Sequence, residues 1–467
     1  MKYRAQSLML LTLSASVLLS SQILRAANPV PLLIQVGPSS VEPGGPAFTL
    51  HVFGSGFVSG SVVNWNGGAR TTTFQSSSVV SASILASDIA SAGTASITVV
   101  NPAPGGGASN AVFLPVNTTI PRVTLTSSNF DAGTASTAVA TGDFNGDGKL
   151  DLAAVDVGSN QLGIILGNGE GTFQPPLAFA VGTQPLSVAT GDFNGDGYLD
   201  VVTANQDDCS SGTGSVSILL GNGDGTLQSQ VQFGVGNCPQ MAIVADFNGD
   251  GKLDLAVVNL GDSTVSILLG SGDGTFQPRM NYPTDANPNS LTTGDFNHDG
   301  KLDLAVGTPE GVSILLGKGD GTFRPQTSFP SAARFSITTA DLNGDGKLDL
   351  FGANDDGTGG GAVVMLGNGD GTFGAGTLYF TGRNPVYVTM GDFSNDGRLD
   401  LAVTSSNANT LSILFGLGNG TFKEPAAYFN TGPTPDALAV GDFNGDGRLD
   451  VVVLVANQAS RGSLFSQ

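Results

Sequence analysis

The stretch "GDFNGDGKLDLAAVD", from Gly142 to Asp156, sets acidic residues among turn glycines and then runs into an apolar segment. The motif returns six times along the chain, and its separations are 49, 54, 49, 46, 51 and 50 residues. The first aspartates of the copies are Asp143, Asp192, Asp246, Asp295, Asp341, Asp392 and Asp442. A nearly fixed period of this size is typical of a solenoid, a propeller or an array of domains.

Each period repeats one internal order, illustrated by the second copy. It reads "LSVATGDF", the acidic loop, "LDVVTAN", "GSVSILLG", the turn "GNGDGTL", and "QSQVQFGVG". Short runs rich in Val, Ile and Leu, bounded by Gly, Asn and Asp, are strand signals. Four strands per period predict one blade of an all-β propeller, and seven copies predict a closed seven-bladed ring. An array of independent domains is disfavoured, because each short unit would need its own core and would expose its edges.

The way the ring closes is also predicted by the sequence. After Asp442 the chain has room for only three strands of the last blade. The segment before the first motif parallels the fourth strand of the other repeats. We therefore predict that Arg122 to Ser127 forms the outer strand of the last blade and joins the two ends of the chain.

The acidic loop has the residue types of a calcium site. Counted from its first aspartate, positions 1, 3, 5 and 9 carry Asp, Asn, Asp and Asp, with glycine at position 6. Position 7 varies, as expected if only its backbone carbonyl is used. Hard oxygen ligands with a turn glycine form the opening half of an EF-hand loop, but here position 9 begins a strand. The pattern predicts a calcium-binding β-hairpin turn.

We expect about six or seven calcium ions per chain, which would offset much of the formal charge of −21. The candidate ligands are Asp143, Asn145, Asp147, Lys149 and Asp151; Asp192, Asn194, Asp196, Tyr198 and Asp200; Asp246, Asn248, Asp250, Lys252 and Asp254; Asp295, Asn297, Asp299, Lys301 and Asp303; Asp341, Asn343, Asp345, Lys347 and Asp349; Asp392, Ser394, Asp396, Arg398 and Asp400; and Asp442, Asn444, Asp446, Arg448 and Asp450.

A plain hairpin turn is the alternative, since Asn, Asp and Gly favour turns in any case. It leaves unexplained why aspartates stand at both position 1 and position 9, where they repel each other unless a cation joins them. The neighbouring turn "GNGDGTF" has a single acid and is predicted to be a plain turn. Magnesium is less favoured than calcium because it needs a stricter octahedral site. The sixth loop is the weakest match, because Ser394 replaces the amide and Asn395 replaces a glycine.

The seven motifs resemble the FG-GAP (VCBS) repeats, the family that includes the propeller of integrin α subunits, over about residues 120–467. The resemblance implies a seven-bladed propeller with calcium in the loop between the first two strands of each blade. It also implies partner binding on the opposite face. The departures from the family pattern are Ser394, and His298 at a position that is not a ligand.

The segment before the ring has a different character. Residues 28–117 alternate apolar and polar residues between frequent turns, which predicts a small Ig-like β-sandwich. "VFGSGF", "VVNWNG" and "GTASITVVNP" resemble the IPT/TIG family, which implies an accessory domain without catalysis. For Trp65, core or surface packing is favoured over sugar stacking. The predicted division is a signal peptide at 1–27, the Ig-like domain at 28–117 and the propeller at 118–467.

The first residues predict export. Lys2 and Arg4 precede the apolar run Leu8 to Leu19, followed by small residues near Ala27, as in a cleaved signal peptide. No other apolar stretch would span a membrane. In an exported protein, Cys209 and Cys238 favour a disulfide, with free buried thiols as the alternative.

Composition narrows the function. The charge of −21 excludes a nucleic-acid partner, which needs basic patches. Two histidines and no G-x-S-x-G motif disfavour an enzyme. We predict an exported binding module with structural calcium, which takes a protein or glycan ligand on the face opposite the calcium loops. The alternatives are a polysaccharide lyase or hydrolase, with Asp207 and Asp208 as candidate acids, and a purely structural component.

Overall fold

The computed structural model describes residues 27–118, 123–207, 209–210, 212–330, 335–355, 359–455 and 462–466. Residues 1–26 of the predicted signal peptide, Arg122 and Asp208 lie outside these residues. The described chain is all-β apart from one short 3₁₀ helix, Ala86–Ile89. Within these ranges no helix is long and apolar enough to cross a membrane.

The N-terminal unit contains nine strands in two sheets. They are β1 (Leu32–Gly37), β2 (Phe48–Ser55), β3 (Val62–Trp65), β4 (Gly68–Ala69), β5 (Thr72–Phe74), β6 (Val79–Ile84), β7 (Gly93–Asn101), β8 (Gly107–Ala108) and β9 (Val112–Val116). One sheet has the order β1-β2-β6-β5, and the other has β4-β3-β7-β8, with β9 also on β7. The sheets enclose one hydrophobic core, which includes Trp65 at 3% exposure. Of the two kinds of packing predicted for this side chain, core or surface, the structure shows core packing.

The repeats contain the remaining strands. They are β10 (Thr126–Phe130), β11 (Ser136–Gly142), β12 (Asp151–Asp156), β13 (Gln161–Ile165), β14 (Leu177–Ala180), β15 (Pro185–Gly191), β16 (Asp200–Asn205), β17 (Gly214–Leu219), β18 (Val231–Val235), β19 (Pro239–Ala245), β20 (Asp254–Asn259), β21 (Thr264–Leu268), β22 (Met280–Pro283), β23 (Ser290–Gly294), β24 (Asp303–Thr308), β25 (Gly311–Leu315), β26 (Thr327–Pro330), β27 (Phe335–Ala340), β28 (Asp349–Asn354), β29 (Gly361–Met365), β30 (Thr377–Phe380), β31 (Pro385–Gly391), β32 (Asp400–Ser405), β33 (Thr410–Gly416), β34 (Phe422–Asn430), β35 (Pro435–Gly441), β36 (Asp450–Val455) and β37 (Gly462–Ser466).

These strands form seven antiparallel four-stranded sheets in the described residues. Repeat sheets 1 to 6 are β11–β14, β15–β18, β19–β22, β23–β26, β27–β30 and β31–β34, and repeat sheet 7 is β35, β36, β37 and β10. Every residue of the second strand is buried in each sheet, from β12 to β36. Such strands have neighbours on both faces, which explains their nearly continuous apolar sequence, as in "LDLAAVD".

The repeat sheets contact one another in a cyclic order. The first strand of each sheet touches the first strand of the next, and β35 of the last sheet touches β11 of the first. A backbone hydrogen bond recurs between neighbours: Gly225 N–H of sheet 2 donates to Phe144 O of sheet 1 at 2.9 Å. The same bond crosses the junction from sheet 7 to sheet 1, where Gly171 N–H donates to Phe443 O at 2.9 Å.

The first and last strands of the repeat region meet in repeat sheet 7. Strand β10 pairs with β37 from Thr126 opposite Ser466 to Phe130 opposite Gly462. The predicted joining of the two ends is therefore confirmed, but the predicted bounds, Arg122 to Ser127, are wrong. The strand lies later because Val123 is buried in a hydrophobic cluster, and because the Phe130 ring occupies the space where Gly462 has no Cβ.

The predicted disulfide is confirmed. Cys209 lies between β16 and β17, and Cys238 lies between β18 and β19. The two residues are disulfide-bonded, with Cα atoms 5.0 Å apart. The bond therefore ties together two connections on one side of repeat sheet 2.

Candidate functional site

Each acidic loop joins the first two strands of its repeat sheet and turns through left-handed backbone conformations. In the first loop Gly146 and Gly148 have φ of 73° and 79°. In the fourth and sixth loops, His298 and Asn395 replace the first of these glycines and keep φ of 58° and 52°. Asn and His are among the side chains found more often than most in this region, so the turn is preserved in both copies.

The first aspartate of each loop lies inside the turn. Asp143 Oδ1 accepts hydrogen bonds from the N–H groups of Gly146 at 2.8 Å and Asp147 at 3.1 Å. Its Oδ2 accepts from Gly148 N–H at 2.8 Å. Asn145 Oδ1 accepts from Asp147 N–H at 2.9 Å. The turn is thus wound around oxygens from positions 1 and 3.

The aspartate at position 9 joins the acidic loop to the turn between the third and fourth strands of the same sheet. Asp151 is completely buried, and its Oδ2 accepts from Phe144 N–H at 2.9 Å while its Oδ1 accepts from Gly167 N–H at 2.8 Å. Burial raises the pKa of Asp151 to about 6, and the charges of Asp143 and Asp147 also raise it. The carboxylates of one loop therefore lie close enough to repel each other.

Other copies behave in the same way. Burial raises the pKa of Asp254 to about 8 and that of Asp303 to about 7, with contributions from the acids at positions 1 and 5 of each loop. The pKa of Asp400 is also raised, chiefly by burial. A cation placed among these groups would relieve both the burial cost and the repulsion.

The donor set fits a hard divalent cation. Each oxygen of Asp151 accepts a single hydrogen bond in the structure and can accept another partner. Carboxylate, amide and carbonyl oxygens are the ligands that calcium prefers. In the part of the chain that the structure describes, no group of three or more Asp, Glu, His or Cys side chains is arranged so that it could hold a metal ion. The fit to a cation therefore rests on the kinds of oxygen that each loop carries.

Position 7 contributes little through its side chain. Lys149 Nζ lies 3.7 Å from Asp147 Oδ2, and Arg398 Nη1 lies 3.6 Å from Asp396 Oδ2. These pairs are solvent-exposed and contribute little to stability. This geometry accounts for the variation among Lys, Tyr and Arg at this position.

The N-terminal unit lies on the acidic-loop side of the repeats. Val30 N–H donates to Asp246 Oδ2 at 3.0 Å in the third loop. In the fifth loop, Gln35 accepts from Asp341 N–H at 2.6 Å and donates to Asp341 O at 3.2 Å. In the seventh loop, Asn117 Nδ2 donates to Asp446 O at 3.2 Å. A Cβ on Gly251 would lie 2.7 Å from Asn28 O, so the backbones of the two units are in direct contact.

The loops differ in the exposure of their first aspartate. The first aspartate is buried in the third to sixth loops: Asp246, Asp295, Asp341 and Asp392. It is half-buried in the first, second and seventh loops: Asp143, Asp192 and Asp442. Burial raises the pKa of each of the four buried aspartates.

A cavity of about 2100 Å³ lies between the N-terminal unit and the first, second, third, sixth and seventh acidic loops and continues along the first strands of several repeat sheets. Its walls include Thr94 and Ser96 of β7 on one side and Lys149 and Tyr198 on the other. The N-terminal unit thus forms one wall of an opening on this side of the repeats.

The structure also places the remaining candidates. Asp207 accepts hydrogen bonds from Ser215 Oγ of β17 at 2.8 Å and from Thr183 N–H, between β14 and β15, at 3.3 Å, so its carboxylate is held by groups of the fold. Its predicted partner Asp208 lies outside the described residues. Sequence reasoning missed the loop contacts made by Val30 and Gln35, because no repeat or motif marks these residues.

The repeats also match a known family. The model of the FG-GAP-like repeat matches residues 143–203, 205–257, 246–306, 295–352, 341–403 and 392–453, about two thirds of the chain. The chain belongs to the FG-GAP-like repeat family. Each of the six FG-GAP-like matches includes at least one complete acidic loop. No curated protein sequence matches the chain.

Solved structures with a similar fold have low sequence identity. A lectin from Agrocybe aegerita, described as recognising non-reducing terminal N-acetylglucosamine, is 19% identical with a TM-score of 0.48, covering 79% of this chain and 96% of the lectin. A periplasmic gluconolactonase from Pseudomonas aeruginosa is 16% identical with a TM-score of 0.46, covering 74% of this chain and 94% of that one. An auxiliary nutrient binding protein from Bacteroides ovatus is 11% identical with a TM-score of 0.41, covering 94% and 98%. Similarity at this level carries no information about function.

Proposed function

We propose that this FG-GAP-like chain is an exported seven-bladed β-propeller, preceded by an Ig-like domain of IPT/TIG type, that acts as a calcium-stabilised binding module. Seven four-stranded sheets in cyclic contact support the propeller. Two sheets around one core support the N-terminal sandwich. The proposed division keeps residues 28–117 as the sandwich and 118–467 as the propeller.

The observation that carries the calcium proposal is the recurring buried aspartate at position 9. It lies beside the acids at positions 1 and 5, and burial and repulsion both disfavour its charged form. When bound, calcium would supply the positive charge that these carboxylates lack. Positions 1, 3, 5 and 9 would hold it through side chains, and position 7 would hold it through its carbonyl. About six or seven ions per chain are expected.

Export is proposed from the N-terminal sequence, and the disulfide supports it. A bond between Cys209 and Cys238 suits an oxidising compartment. The proposed destination is the periplasm, the cell surface or the medium, after removal of residues 1–27.

A protein or glycan is the proposed ligand, bound on the face opposite the acidic loops. The N-terminal unit covers the third to seventh loops, so the opposite face is the more open of the two to a large partner. A binding module is proposed over a polysaccharide lyase or hydrolase because most acids of the repeats lie in the acidic loops, and because Asp207 is held by hydrogen bonds from Ser215 and Thr183.

Ion content and thermal stability test the calcium proposal. Protein dialysed against calcium should contain about six or seven ions by mass spectrometry, and chelation should remove them and lower the melting temperature. Asp250→Asn should lose one ion with little change in fold, because Asn can still accept from Lys252 N–H through Oδ1.

The matched control is Asp273→Asn, in the plain turn of the same sheet, where Asp273 accepts only from Thr275. It should keep every ion. Wild-type protein without bound calcium, or a melting temperature that chelation leaves unchanged, contradicts the proposal.

A further inference from the structure

The sixth acidic loop departs most from the repeat pattern and is also the most enclosed. Ser394 stands at position 3 in place of Asn, and Asn395 at position 4 in place of Gly. Asp392, Ser394 and Asn395 are only 2%, 8% and 3% exposed. In the first loop, by contrast, Asp143 and Asn145 are half-buried and Gly146 is exposed. The loop with the weaker ligand set is therefore the one most shielded from solvent.

Two serines of the N-terminal unit provide this enclosure. Ser39 Oγ donates to Asp392 Oδ2 at 3.3 Å. Ser40 Oγ accepts from Gly397 N–H at 3.1 Å, and that same N–H also donates to Asp392 Oδ2 at 2.7 Å. Positions 1 and 6 of this loop are thus held by hydroxyl groups from another folding unit.

A buried hydroxyl in the loop has no partner. Ser394 Oγ is buried and makes no hydrogen bond in the described residues. In the first loop, Asp147 N–H donates both to Asp143 Oδ1 and to the equivalent Asn145 Oδ1. In the sixth loop, Asp396 N–H donates to Asp392 Oδ1, and Ser394 Oγ accepts no bond from it. A buried polar atom without a partner is unfavourable, and a bound ligand would satisfy it.

The charges around this hydroxyl define the class of that ligand. Asp392 at position 1 and Asp400 at position 9 are both buried, and Asp396 at position 5 completes the acidic set. Buried carboxylates need a positive partner, and the basic side chain of this loop, Arg398, lies on the exposed side against Asp396. The ligand is therefore a hard cation.

We propose that the sixth loop binds calcium as a site shared between the two units, with Ser39 and Ser40 of the N-terminal unit fixing Asp392 and Gly397 around the ion. This inference rests on the proposed calcium role of the other loops and goes beyond it. Ser394, a poorer ligand than Asn, is compensated by hydroxyl groups from outside the repeat. Because binding linkage is reciprocal, the ion in this loop also strengthens the contact between the two units.

The test is calcium titration of the full chain. Isothermal titration and ion counting would compare wild type with the double variant Ser39→Ala/Ser40→Ala. Removing groups that position metal ligands typically weakens binding about tenfold or more, so one site should weaken to that degree or be lost. Ser83→Ala, on an exposed position of β6, is the matched control and should keep all sites. Asp192→Asn, in the half-buried second loop, shows how large a change in ion count the loss of one calcium site produces.

Each outcome decides the proposal. A double variant with wild-type ion count and affinities overturns the shared site while leaving calcium in the other loops intact. Wild-type protein that binds no calcium overturns both. If the double variant does not fold, the single variants Ser39→Ala and Ser40→Ala decide instead: at least one should weaken the same single site, and wild-type affinities in both overturn the shared site.

Discussion

The ring should depend on its last strand, because β37 packs against two neighbouring sheets at once. Phe465 is 2% exposed and lies in a cluster with Phe393 and Ile413 of repeat sheet 6. Leu464 is 1% exposed and lies in a cluster with Leu152 and Ala154 of repeat sheet 1. Adjacent residues of one strand thus hold the junctions on either side of repeat sheet 7.

The expected loss follows from this burial. Truncating a buried Phe to Ala costs about 3–5 kcal/mol, and truncating a buried Leu costs about 2–5 kcal/mol. Phe465→Ala and Leu464→Ala should each lower the free energy of unfolding by these amounts. Deleting residues 462–467 removes both side chains and the pairing with β10, so it should be worse than either substitution.

Urea unfolding at fixed calcium measures these losses. Phe380→Ala is the matched control, since Phe380 lies on the outer strand β30 at 56% exposure and should change stability by less than about 0.5 kcal/mol. If Phe465→Ala cost no more than Phe380→Ala, the ring would not depend on the joined ends, and the reasoning would be refuted.

Three further predictions concern other parts of the chain. Reducing the Cys209–Cys238 bond, which spans 29 residues, should lower the free energy of unfolding by about 3–4 kcal/mol, and a Cys209→Ser/Cys238→Ser variant should not respond to reductant. Burial raises the pKa of Asp156, but hydrogen bonds from Thr134 and Ser159 outweigh the effect of burial and hold the pKa below its ordinary value. The ionised Asp156 therefore stabilises the fold at neutral pH, and this stabilisation is lost in acid. Asp156→Asn should therefore cost about 1.5–3 kcal/mol at pH 7, with the difference from wild type shrinking below about pH 4 in urea titrations; a constant difference would contradict this. His298→Val should lower stability by about 1–2 kcal/mol because its φ is 58°, whereas His298→Asn should melt like wild type.

The repeats were predictable because each copy carries its own local signals for strands and turns. The strand "LDLAAVD" is apolar on both faces, and the glycines of the acidic loop mark the turn before it. The order of the four strands and the joining of the two ends follow from these local signals. The bounds of β10 did not follow, because "VTL" has the composition of a strand but Val123 is used for core packing.

The contacts between neighbouring repeat sheets, and those between the N-terminal unit and the repeats, were not predictable from the sequence. Gly225 N–H and Phe144 O are backbone groups far apart in the chain, and a backbone group has no sequence signature. Ser39 and Ser40 are two small polar residues in a segment without periodicity. Their meeting with Asp392 depends on how two separately folded units pack, which no local pattern encodes.

The pairing of β10 with β37 has a mechanical consequence. The strands are antiparallel, with Thr126 opposite Ser466, so the chain enters and leaves this pair at the same end. Tension between the segment before Thr126 and the end of the chain would load the hydrogen bonds one after another, starting at that end, as in a zipper. The other strand pairs within each sheet are covalently connected by their turns and do not carry this load directly. Under tension applied directly across this pair, β10 and β37 would therefore separate first, while repeat sheets 1 to 6 stayed folded.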